Sequence, residues 1–74
     1  MDEFIRENIV KKENNEITQD EVYARYLRYC ETINIKPLNK VWFGRGMNVF
    51  DFSTKQIGNN TRIYRSLGLN ECKY

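Results

Sequence analysis

Val41, Gly44, Arg45 and Asn48 recur at the three- and four-residue spacing of one helical face, and Trp42 lies on the flank of that face beside Arg45. A guanidinium and a carboxamide placed this way suit base edges. Arg forks onto guanine O6 and N7, and Asn pairs with the N6 and N7 of adenine. The same side chains also have plainer uses, a surface ion pair for Arg45 and a C-terminal helix cap for Asn48. Val41 and Trp42 can meet thymine methyls, stack, or dock onto a protein. Asn39 and Lys40 fall where free N–H groups and the helix dipole favour a phosphate, a contact that positions without specifying. A second group, Lys55, Asn59, Asn60 and Arg62, surrounds Gly58. It can follow a phosphate backbone or enter a minor groove, although the Asn pair can equally serve the turn itself.

Other chemistries lack their residues. The 74-residue chain has no His and only two Cys, Cys30 and Cys72, so neither a Cys/His zinc site nor a nucleophile–base pair can be assembled. Nor does it carry a Gly-Lys-Ser/Thr phosphate loop or an acidic metal cluster. No catalytic residue, metal or cofactor is expected, the two thiols are expected to be reduced, and the activity is expected to be binding rather than catalysis.

Charge is unevenly placed. Residues 1–35 hold five bases against eight acids, whereas residues 36–74 hold seven against two, giving −3 and +5 within a net charge of +2. The basic half contains every candidate residue named above. A segregated basic face beside aromatic and Asn residues is the electrostatic footprint of a nucleic-acid binder, and the alternative is a solvated surface.

The elements that must position these residues follow from periodicity. Phe4, Ile5 and Ile9 predict a short helix over 2–10 with acids in its first turn. The polar stretch 11–16 reads as a connecting loop, with at most a token strand at Ile17. Thr18 and Glu21 form a capping box. It opens a helix whose core face carries Val22, Tyr23, Tyr26, Leu27, Cys30 and Ile33, with Arg25, Arg28 and Glu31 opposite and Tyr29 between the faces. Tyr23 and Tyr26 are therefore read as core rather than as stacking platforms. Asn34 offers a left-handed stop, and Ile35-Lys36-Pro37 turns the chain. Asn39 caps a third helix that buries Phe43, Met47 and Phe50. Its Gly44 and Gly46 cost up to about 1 kcal/mol each, which predicts a close approach by another backbone. From Val49 the period changes to two, and a strand, the Gly58-Asn59-Asn60 turn and a second strand over 61–67, with Leu67 in the core, make a β-hairpin.

Seventy-four residues support one core, so a single domain over 1–74 is expected. No stretch approaches the ~20 apolar residues of a membrane span, and the acidic start Met1-Asp2-Glu3-Phe4 is unlike a signal peptide. A soluble, cytoplasmic protein without membrane contact is expected. Three helices followed by a hairpin predict a mainly α (α+β) winged helix-turn-helix, with three helices and a two- to three-stranded wing. In that architecture the third helix and the wing meet DNA.

The pattern Val22-Tyr23-x-x-Tyr26-x-x-Tyr29-Cys30, then Lys36-Pro37-Leu38, Phe43-Gly44-Arg45 and Arg62-Ile63-Tyr64-Arg65-Ser66-Leu67-Gly68-Leu69 resembles the C-terminal winged-helix domain of poxvirus-type primase-helicases. These are superfamily 3 replication initiators of phages, plasmids and mobile islands. The chain departs from that pattern at Tyr29-Cys30, where Trp is common, and at Val41-Trp42, where bases are common. The resemblance implies the tail of a longer, hexameric replication protein. It also implies double-stranded origin or template DNA as the partner, a monomer in isolation, and a possible contact with another replication protein. A winged helix that docks on such a protein without touching DNA is the alternative.

Overall fold

The computed structural model describes residues 2–50, 52, 54–58 and 61–71. Among them the chain runs α1 (Asp2–Asn8), β1 (Ile9–Thr18), α2 (Gln19–Thr32), α3 (Lys40–Asn48), β2 (Thr54–Ile57) and β3 (Thr61–Leu69). The strands form an antiparallel sheet in the order β1-β3-β2. This is the small α+β winged helix expected, with β1 added as a third strand.

Local chemistry sets the helix ends. The Thr18 hydroxyl accepts from the Glu21 N–H at 3.1 Å and starts α2. At the other end Asn34 adopts φ 60°. The N–H of Ile35 then reaches the Cys30 carbonyl at 2.9 Å and that of Asn34 reaches Glu31 at 3.3 Å, the paired bonds of a Schellman stop. The Asn39 carboxamide accepts from the Trp42 N–H at 2.9 Å and starts α3.

Packing then fixes the angle of α3. Phe43, wholly buried, meets the rings of Tyr26 and Tyr23 at 4.8 and 5.1 Å between centroids. Phe4 stands edge-on to Tyr26 and Tyr29 at 5.3 and 5.4 Å. Such ring pairs add about 0.5–1.5 kcal/mol each beyond area burial. Two α2 hydroxyls also clamp the turn before α3: Tyr23 donates to the Leu38 carbonyl at 2.9 Å, and Tyr26 accepts from the Leu38 N–H at 3.1 Å. The two tyrosines are thus structural, as their spacing implied.

The connecting loop expected over 11–16 is instead part of β1, and the first helix ends at Asn8 because Ile9 and Val10 pair with Leu69 and Gly68. Asn8 itself is buried and returns its amide to the Phe4 carbonyl at 3.0 Å. Within β1 the register slips between Lys11, opposite Leu67, and Glu16, opposite Arg65. The extra residues bulge, with Asn14 at φ 60° and the Asn15 amide donating to the Leu67 carbonyl at 2.7 Å. A long-range partner strand has overridden weak local propensity.

Other expectations are corrected by packing. Tyr29 is buried rather than lying between faces, while Leu27 and Ile33 are 38% and 45% exposed because none of the described residues covers that side of α2. Arg25 points inward, half-buried, and donates to Asn8 Oδ1 at 3.3 Å and the Asn70 carbonyl at 3.1 Å, tying α1 to the end of β3. The strand expected from Val49 begins only at Thr54; Val49 is 80% exposed and the chain is still turning, with the Phe50 N–H bonded to the Met47 carbonyl. Phe50 is half-buried, outside the core in which Phe4, Phe43, Met47 and Leu67 were correctly placed. Cys30 is a buried free thiol, and Cys72 lies outside the described residues.

Candidate nucleic-acid interface

The clamp on Leu38 brings the first turn of α2 against the middle of α3. At their contact Gly44 is buried. A Cβ there would stand 2.7 Å from Gln19 Nε2, so the close approach that the glycine permits comes from a side-chain amide and not from another backbone. Around it Lys40, Val41, Arg45 and Asn48 of α3, with Gln19 and with Arg62 of β3, enclose a shallow depression of about 400 Å³. Gln19, Gln56, Thr61 and Arg62 enclose a smaller one of about 180 Å³ beside it.

A hydrogen bond joins helix and wing within this surface. Arg62 Nη1 donates to Asn48 Oδ1 at 3.3 Å, which leaves the Asn48 amide N–H groups as donors. Arg45 lies over the Trp42 ring, its guanidinium carbon 4.8 Å from the centroid. That stacking holds the fork without using its N–H donors. Trp42 and Val41 are 55% and 65% exposed. Lys40 forms an exposed ion pair with Asp20 of α2. Asn39 has its side-chain oxygen occupied by the helix cap.

The wing residues divide. Gln56 stands opposite Arg62 and Lys55 opposite Ile63, so strand alternation places Lys55 on the sheet face away from Arg62. Lys40, Val41, Arg45, Asn48 and Arg62 are thus gathered and Lys55 is not. Asn59 and Asn60 lie outside the described residues. Gln19 and Gln56 escaped the sequence reading. Gln19 follows the Thr18 cap, and the glycine opposite it was the one signal that some group approaches there.

Beneath this surface Tyr64 is fully buried, and its hydroxyl has no hydrogen-bond partner among the described residues. Burial pushes its pKa above the ordinary 10, against the charge of Arg62 and the Gln19 amide, which lies near the hydroxyl without completing a hydrogen bond.

Three helices, an antiparallel sheet ending in a hairpin, and a cationic face shared by α3 and β3 define a winged-helix module of the class that docks on nucleic acid. In a comparison with known families, residues 1–66 match the RFX DNA-binding domain. The chain belongs to that family, and duplex DNA is its partner. No curated protein matches it. Among the described residues no helix is long and apolar enough to cross a membrane.

Proposed function

We propose that the chain binds duplex DNA through α3 and the wing as the DNA-binding module of a replication initiator, and that the domain spans 1–74 within a longer primase-helicase. The primase-helicase setting rests on the sequence resemblance. The DNA-facing assignment rests chiefly on the Arg62–Asn48 bond, which makes one surface of helix and wing. Arg45 reads a guanine and the Asn48 amide an adenine, Val41 and Trp42 meet thymine methyls, and Lys40, beside the Asn39 cap, takes a phosphate. Arg62 follows the backbone or minor groove on one side of the wing and Lys55 on the other, and Asn59 and Asn60 are proposed from the sequence alone to join them.

Fluorescence anisotropy with origin duplex at two salt concentrations tests this reading. Arg45→Ala is expected to remove about 1–3 kcal/mol of preference for the right site, and Arg62→Ala to weaken all duplexes alike. Duplex binding untouched by both changes refutes the assignment. The exposed Ile35, Leu38, Val41 and Trp42 favour the second reading, docking on another replication subunit. Absence of duplex binding at low salt in the folded chain selects it.

A further inference from the structure

A larger cavity, about 570 Å³, lies elsewhere, between β1, β3 and the segment that leaves α3, and shares no lining residue with the depression under α3. Its size falls within the range of small-ligand pockets. Two rings line it, Phe50 and Phe52, stacked with centroids 6.1 Å apart and planes 19° from parallel. Phe52 also stands edge-on to Tyr64 at 6.1 Å and packs on the core. Phe50 is thereby a half-buried ring with a rigid backing, which is how a stacking platform is built. Lys11, Lys12 and Arg65 supply cations around the rings, with Glu13 also in the lining and Glu16 beside Arg65. Among the described residues Arg65 is held by a 3.9 Å exposed contact with Glu16, a pair weak enough for an anion to displace.

We infer that this cleft is a second site, binding unpaired nucleic acid by stacking a base on Phe50 while Lys11, Lys12 and Arg65 hold the flanking phosphates. Each nucleotide of a single strand presents both an accessible ring face and a negative charge, the two features that the cleft complements. A duplex hides its ring faces inside the stack. The cleft therefore selects single strands, or a base turned out of a helix, whereas α3 and the wing take the duplex. An acidic peptide matches the cations but offers an aromatic face only where its sequence has one.

The test is anisotropy of the whole chain with fluorescein-labelled oligothymidylate and, separately, with duplex. Phe50→Leu keeps an apolar side chain but removes the flat face. It is expected to weaken oligothymidylate about fivefold or more while leaving duplex affinity within about twofold. The exposed pair Lys11→Gln/Lys12→Gln is expected to weaken oligothymidylate and flatten its salt dependence. This double variant carries the test if circular dichroism shows that Phe50→Leu does not fold. Arg45→Ala is expected to do the reverse, reducing duplex binding alone. Oligothymidylate affinity unmoved by the substitutions at 50, 11 and 12 overturns the inference, as does Phe50-dependent binding of an acidic phenylalanine-containing peptide by a chain that ignores oligothymidylate. An unsubstituted chain that binds oligothymidylate but no duplex counts against the α3 assignment and not against this one.

Discussion

Tyr64 places a hydroxyl in the core with no partner among the described residues, a cost on the order of 1–3 kcal/mol. Its ring is needed to back Phe52, and a phenylalanine supplies the same ring without the cost. Tyr64→Phe is therefore expected to raise stability by up to about 1 kcal/mol at neutral pH, read from urea midpoints. The pH dependence follows from the raised pKa. In the unfolded chain the hydroxyl loses its proton near 10, whereas in the folded chain it does so only higher, so the folded state binds more protons in between. This contribution is complete below pH 10 and is lost as pH rises from 10 through the folded value. The Phe variant lacks that share of the alkaline decline. Tyr26 keeps its own, since burial raises its pKa more than the Leu38 N–H lowers it. An unchanged alkaline profile, or a less stable variant, sinks this account of the buried hydroxyl.

Between elements, strain collects where β1 crosses β3. Ser66 sits at φ 59° opposite the bulge of β1, a backbone state costing a non-glycine residue about 1–3 kcal/mol. Glycine occupies it freely but gives back about 0.5–1 kcal/mol in chain entropy. Ser66→Gly is accordingly expected to stabilise the fold by roughly 0.5–1 kcal/mol, a rise of a few degrees in Tm, and a lower Tm contradicts the strain. This crossing was also the least legible part of the sequence, for a physical reason. The two later helices announce themselves through neighbours: Thr18 and Asn39 as caps, Asn34 as a stop, and the 3.6-residue spacing of Val22, Tyr26, Phe43 and Met47. The strand β1 has no such signal, because the residues that make Lys11 to Glu16 a strand are Arg65 to Leu67, some fifty positions away. The same logic divides the candidate interface. Val41, Arg45 and Asn48 could be grouped by helical spacing and Lys40 by its place at the helix start, and Arg62 joins them through the wing. The face taken by Lys55 depends on hairpin register, and the arrival of Gln19 depends on the α2–α3 turn.

For the whole molecule, the split of −3 against +5 is partly neutralised at the interface itself, because Asp20 of the acidic half pairs with Lys40 of the basic half. Both side chains are at least half exposed, so the pair contributes only about 0–1 kcal/mol to the fold, while it occupies a cation at the N-terminus of α3 where a phosphate is favoured. An approaching phosphate must compete with Asp20 for that ammonium and also meets the carboxylate's own repulsion. Asp20→Asn removes both and raises the net charge by one. Duplex affinity is expected to rise severalfold at low salt and to fall more steeply as salt increases, by up to about 0.9 in the log–log slope if Lys40 gains a full phosphate contact. Thermal stability should move by less than about 1 kcal/mol. Anisotropy titrations across a salt series, with a melt of each variant, separate the cases. A higher affinity with an unchanged slope assigns the effect to general charge and leaves Lys40 off the phosphate. An unchanged affinity removes the α2–α3 edge from the DNA-facing surface altogether.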